Sequence, residues 1–242
     1  MSGLYLYGIV SAPGPRHLSV KGLDQQLVQL HLIDSFAFLY SEAKQDRYLA
    51  SRANLLAHES VLEKAMSEGH SALLPLQFGM VVADWSQVTR DLLERRSEQL
   101  TQLLQHLDGK REVGIKVFWD AEKELQLGLE ENPQLKQQRD AMLGELLGLD
   151  AVVRIGRELE QLLEGRRQEI VQAFVTTLSP LSSDRVEGDL LTENMAYNGS
   201  YLIAWEDEPR FAHKVEDLDH RFGGRLRIRY NNFTAPYNFT KL

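Results

Sequence analysis

The chain has 242 residues, 27 lysines and arginines against 35 aspartates and glutamates, a formal net charge of −8 and no cysteine. Without thiols it holds no disulfide, thiolate zinc site, iron–sulfur cluster or cysteine nucleophile, and its acidic balance repels a phosphate backbone, so nucleic acid is not an expected partner. A chain of this length builds one large domain or two modest ones around a core that needs no staples.

The opening MSGLYLYGIV has neither a basic n-region nor a small-residue cleavage site. No apolar run reaches the roughly 20 residues that cross a bilayer. A soluble intracellular protein without membrane contact is the expectation. Leu4 to Val10 is aromatic and β-branched and is stopped by Pro13-Gly14-Pro15, which predicts a strand. Gly8 within it marks a bulge or a close backbone approach. LVQLHLID and FAFLYSEA predict two more strands, joined as a hairpin at Asp34-Ser35. His31 is expected at an edge or toward solvent.

From Asp46 to Glu68 the period becomes helical, with Tyr48, Leu55, Leu62 and Met66 as the apolar stripe. Gly69 is the expected C′ residue, and His58 and Glu59 are placed on the solvated flank. SALLPLQFGMVVAD predicts an extended segment, with Pro75 near a sheet edge or entry. Asp84 or Ser86 then caps a helix through Leu107 that buries Leu93, Leu100, Leu104 and Leu107.

The pattern restarts at Asp108-Gly109, which divides the chain into an N-terminal α+β domain, 1–108, and a second, 109–242. Val113, Ile115 and Val117 alternate with Gly114, Lys116 and Phe118 as a half-buried strand. Asn132 and Pro133 open about forty residues of helical pattern, roughly 132–177. Leu135, Met142, Leu146, Leu149 and Val153 make one stripe there, and Leu163, Ile170 and Phe174 another. Its four glycines, each costing about 1 kcal/mol against alanine, predict a break near Gly148-Leu149-Asp150. DRVEG is a short strand or a loop. Ser200 to Trp205 is a strand, with Asn198-Gly199 as a hairpin turn before it. Phe211, Val215, Leu218 and Phe222 define a helix that Gly223-Gly224 ends, and RLRIRY is the last strand.

Chemistry is sparse. His213, Glu216, Asp217 and His220 share a helix face, but it lies opposite the apolar stripe and is best explained as solvated. Phosphate-loop, nucleophile-elbow and zincin patterns are absent. No catalytic residue, metal site or cofactor is expected. In the last strand Arg225, Arg227 and Arg229 point one way and Leu226, Ile228 and Tyr230 the other. Such a ladder is solvated edge protection or a contact for an acidic, hydrogen-bonding partner. Phe233, Tyr237 and Phe239 in the tail cover a sheet edge or core margin, or they meet a partner.

LYLYGIV, LLPLQFGMVV, EVGIKVFWD, AYNGSYLIAWED and GGRLRIRYNNFTAPYNF appear in that order along the chain. As a set they resemble the gas vesicle protein GvpF/GvpL family over essentially the full length. In that family the closing segment is usually richer in proline and tryptophan; here it keeps Pro236, Tyr237 and Phe239. The resemblance implies an α+β protein of two domains, the second a modified ferredoxin-like fold with a long helical insertion. It implies a non-enzymatic, minor component of gas vesicles in the cytoplasm. Such a component acts in nucleation and assembly of the shell by binding the small hydrophobic shell protein and limiting its aggregation. The expected partners are that main shell protein and other gas vesicle accessory proteins. Leu76, Phe78, Arg225, Arg227, Arg229, Tyr237 and Phe239 are the candidate partner-binding residues. The alternative is a regulatory or small-ligand-binding α+β module.

Overall fold

In the computed structural model, residues 3–15, 18–68, 72–144 and 148–240 are described. The chain is α+β and forms two compact units. One comprises Met1–Val113, Tyr201–Glu208 and Asn232–Leu242; the other comprises Gly114–Ser200 and Pro209–Asn231. The units interleave along the chain.

In the first unit β1 (Gly3–Ser11) lies in a sheet with β2 (Gln29–Ile33), β3 (Phe36–Ala43), β4 (Leu73–Pro75) and β5 (Val81–Val82). The order is β2-β3-β1-β4, with β5 also on β1, and every pairing is antiparallel. The hairpin falls at Asp34-Ser35, where Ile33 pairs with Phe36 and Asp34 takes φ 52°. The bulge falls where Gly8 predicts it: the register steps from Leu6↔Tyr40 to Gly8↔Leu39. One extra residue changes the alternation, so Tyr5, Tyr7 and Val10 enter one apolar cluster while Leu6 and Ile9 enter another. A Cβ on Gly8 would sit 3.0 Å from Leu62 Cδ2 and 3.1 Å from the Leu74 carbonyl oxygen.

Helix α1 (Arg52–Ser67) supplies Val61, Leu62, Ala65 and Met66 to the first cluster. Ser51 caps it, accepting from the Asn54 N–H at 3.3 Å. The expected start at Asp46 is therefore too early. Tyr48 precedes the helix and donates its hydroxyl to Asp24 Oδ2 at 2.8 Å. Leu55 faces outward instead of joining the stripe, and His58 is buried instead of lying on a solvated flank. Gly69, the expected C′ residue, lies outside the described residues. The second cluster is closed by α2 (Trp85–Val88), a π-helical turn over Thr89–Leu93 and α3 (Glu94–Leu107), which bring in Val88, Leu93, Leu100 and Leu104. Asp84 is the cap, accepting from the Gln87 N–H at 3.0 Å. His31 is on an edge strand, as expected, but stacks on Trp85 at 3.9 Å rather than facing water freely.

The second sheet contains β6 (Lys110–Trp119), β7 (Asp184–Glu187), β8 (Met195–Ala204) and β9 (Leu226–Thr234) in the order β7-β8-β6-β9. Between β6 and β7 come α4 (Ala121–Glu131), α5 (Pro133–Gly144) and α6 (Leu149–Leu178). The break before Leu149 agrees with the glycine argument, and Asn132 caps α5 through the Leu135 N–H at 3.2 Å. Helix α4 was not read from the sequence, although Asp120 caps it at the Lys123 N–H, 3.2 Å. Leu129, Leu135 and Ile155 form the small core of these three helices. Leu149 and Val153 are exposed rather than part of a continuous stripe, because α6 starts anew after Gly148, whose backbone is extended, with its own helical phase. Leu146 of that expected stripe lies outside the described residues. Asn198-Gly199 makes no turn: both residues lie within β8. Helix α7 (Glu208–Phe222) buries Phe211, Val215 and Leu218, and Gly223 and Gly224 end it at φ 56° and 79°. Phe174 of α6 lies parallel to Phe222, and Phe211 to Tyr230 of β9.

Candidate interaction site

The first unit carries an apolar groove of about 500 Å³ between α1 and the segment after β4. Leu55, Leu56, Phe78 and Tyr237 form its walls, with His58, Glu59 and Gln77 between them. Leu55 is 43% and Leu56 58% exposed. Helical geometry explains the pair: α1 spends His58, Val61, Leu62, Ala65 and Met66 on the core, and residues three and two positions before His58 fall on its rim.

His58, at 2% exposed, is the pivot of the groove. Its Nδ1 shares a hydrogen bond with Tyr5 Oη at 2.9 Å, and its Nε2 shares one with Tyr237 Oη at 3.0 Å. Tyr5 Oη also accepts from the Gly79 N–H at 2.9 Å. Burial pushes the imidazole down to about 4, against a weaker opposing effect of a backbone hydrogen bond at Leu76. It is therefore neutral at physiological pH, one nitrogen donating and the other accepting. Burial raises the phenols of Tyr5 and Tyr237, so both stay protonated. Tyr5, Phe78 and His58 also pack edge to face.

The tail is held by specific bonds. Glu59 Oε1 accepts from Thr234 Oγ1 at 3.1 Å and from the Ala235 N–H at 3.3 Å. Glu112 accepts from the Asn238 N–H at 3.1 Å and its side-chain amide at 2.6 Å. Phe233 meets Trp205 edge to face at 5.3 Å, with the Arg111 guanidinium within 4.8 Å of the indole. Ala235 and Phe239 are buried. The closing segment is thus a built wall of the groove.

The seven sequence-predicted residues separate into distinct roles. Phe78 and Tyr237 meet at the groove, whereas Leu76 is buried in the second apolar cluster and Phe239 is buried without lining the groove. The arginines belong to the second unit and do not act as one ladder. Arg225 grips Glu124 with two hydrogen bonds, 3.0 and 2.6 Å. Arg166 reaches the same carboxylate at 2.9 Å and Glu131 at 2.8 Å. Burial alone would raise the Glu124 carboxyl, but the bonds from Arg225 and Arg166 outweigh it and hold it below the usual range. Arg227 and Arg229 are exposed and lie over the Phe118 ring at 4.6 and 5.1 Å. His213, Glu216 and Asp217 lie on the exposed side of α7, His213 at 3.9 and 3.8 Å from the two carboxylates. Among the described residues no group of three or more His, Asp or Glu is placed to hold a metal. No helix among them is long and apolar enough to cross a membrane. Leu56 went unnoticed in the sequence; it lines the groove although nothing in the helical stripe singles it out.

Residues 3–241 match the model of the gas vesicle synthesis protein GvpL/GvpF family. Gas vesicle protein F of a Nostoc strain is 51% identical over 241 residues, which cover 100% of this chain and 99% of that relative. Gas vesicle protein F of Dolichospermum flosaquae is 51% identical over 239 residues, 99% of this chain and 98% of that relative. The crystal structure of GvpF from Anabaena superposes with a TM-score of 0.89 at 48% identity, covering 100% of this chain and 97% of that one. The chain belongs to the GvpL/GvpF family, a family of gas vesicle synthesis proteins rather than a known enzyme family, and a part in gas vesicle formation comes with that membership.

Proposed function

We propose that this chain acts in nucleation and assembly of the gas vesicle shell, holding the small hydrophobic shell protein and limiting its aggregation before it polymerises. It works without catalysis, cofactor or metal, at the vesicle and in the cytoplasm, alongside other vesicle accessory proteins. The observation that carries this reading is the groove, with Leu55 and Leu56 exposed on its rim. A shell subunit presents apolar elements that aggregate until they are covered, and an apolar groove on a charged protein covers such a segment without being consumed.

In the same reading the chain divides near residue 108 into an N-terminal α+β domain and a second domain of modified ferredoxin-like type. The order β7-β8-β6-β9 supports this, with helices between β6 and β7 and one helix between β8 and β9, the succession of a split βαβ arrangement. The helices α4 to α6 are then its long insertion.

The test is light scattering of purified shell protein diluted from denaturant, with and without the full chain. Leu55→Ser/Leu56→Ser should leave the melting temperature nearly unchanged. It should raise the concentration needed for half-suppression by roughly tenfold or more, because two leucine side chains no longer bury apolar area against the client. Undiminished suppression by that variant would remove the groove from the reading.

A further inference from the structure

We propose that the outer face of β6 and β9 is a second docking surface, which takes an acidic, extended segment of a protein partner. The surface is built from Lys116, Phe118, Arg227 and Arg229, all in the second unit.

Its geometry follows from two cross-strand contacts. Gly114 lies against Asn231, 3.8 Å from a Cβ built on the glycine to that of the asparagine, and Phe118 lies under Arg227 at 4.6 Å. Numbers rise along β6 as they fall along β9, so the neighbouring strands are antiparallel and Lys116 falls opposite Arg229. Like charges directly opposite one another destabilise a sheet. Yet Lys116, Arg227 and Arg229 are all exposed, and none forms an ion pair among the described residues. The contrast with Arg225 is instructive, since that side chain is committed to Glu124. A chain with eight more acidic than basic side chains has carboxylates to spare, and among the described residues none pairs with these three cations. Such an arrangement retains its electrostatic cost until an anion arrives.

Phe118 defines what kind of anion. Its ring sits within 5.1 Å of both guanidinium carbons, which holds the two planar groups over one apolar base and leaves their N–H edges for a bidentate acceptor. Alternate residues on one strand stand about 6.7 Å apart, the spacing of alternate carboxylates on a second extended chain. The net charge of −8 opposes a long phosphate polymer more than a short acidic peptide. A carboxylate-bearing protein segment is therefore the occupant, and this surface is independent of the apolar groove.

Fluorescence anisotropy tests it with a labelled octapeptide of alternating Glu and Thr, titrated with the full chain at low salt. The wild type should bind it saturably, and added salt should weaken the complex. Arg227→Ser/Arg229→Ser should bind about tenfold more weakly, as should Lys116→Ser to a smaller degree, a variant that leaves the Phe118 stack untouched. Arg227→Glu/Arg229→Glu should lose the Glu peptide and accept its Lys counterpart. Leu55→Ser/Leu56→Ser should bind the Glu peptide as the wild type does, which separates this surface from the groove. No saturable binding, wild-type affinity in Arg227→Ser/Arg229→Ser, or tighter binding of poly-uridylate or phosphatidylserine vesicles would overturn the proposal.

Discussion

A neutral histidine sealed inside a protein should make that protein sensitive to mild acid, and His58 permits a worked value. The imidazole titrates near 6.5 in an unfolded chain and at about 4 in the folded one. Between those values the unfolded chain binds the extra proton, so stability is fully present above about pH 6.5 and is lost as the pH falls toward 4. With these two values, lowering the pH from about 7.5 to about 5 removes about 2 kcal/mol. The measurement is urea unfolding followed by circular dichroism at both pH values, for the wild type and for His58→Gln. Glutamine retains hydrogen-bonding capacity toward one tyrosine but does not titrate. Other ionisable groups are shared by the two proteins, so the difference between them isolates His58. The wild type should be more stable than the variant at the higher pH, with that advantage shrinking by about 2 kcal/mol at the lower one. An advantage that stays constant across the range would show that the imidazole is not held neutral by burial.

Two further outcomes follow from packing and charge. Glu124→Gln leaves Arg166, 8% exposed, with only the outlying Glu131, and breaking a buried pair in this way should cost about 3–5 kcal/mol in chemical denaturation; joint replacement of Glu124 and Arg166 by Leu and Met should recover much of that loss, and failure to recover would show that the charges themselves are needed. Gly8→Ala drives a methyl group toward Leu62 and the Leu74 carbonyl and should lower stability by about 1–3 kcal/mol, whereas an unchanged melting temperature would mean that the strand and α1 move apart without cost.

The elements that the sequence declared most clearly are those with two independent signals. The helix ending at Leu107 had both an Asp84 cap and a four-leucine stripe, and all four leucines are buried. The break before Leu149 was legible because glycine weakens a helix whatever surrounds it. Asn198-Gly199 misled because a turn dipeptide states only what the backbone tolerates; here pairing within β8 overrides it. His58 was misplaced for a related reason. Helical periodicity ranked it by polarity, but burial was decided by two tyrosines at positions 5 and 237, which no local window contains. Phe78 and Tyr237 were legible as unusual side chains, yet their meeting at one groove required the fold. The arginine ladder was read correctly in its alternation and missed in its chemistry, because Glu124 and Phe118, which distinguish Arg225 from Arg227 and Arg229, lie more than 100 positions away in the chain.

That last distinction bears on how an acidic accessory protein handles partners. In Arg225 the charge is spent internally, fixing α4 and α6 to the start of β9 through one carboxylate. In Arg227, Arg229 and Lys116 it is left unspent on an open sheet face. An apolar groove alone has little power to tell one hydrophobic segment from another, since burial is proportional to area and non-directional. Fixed cations do discriminate, because a wrong partner leaves them desolvated and unpaired. On the proposed reading, the groove covers apolar surface and the cation face chooses whom to meet. Loss of the first should therefore appear as aggregation of the client, and loss of the second as indifference to the charge of the segment presented to it.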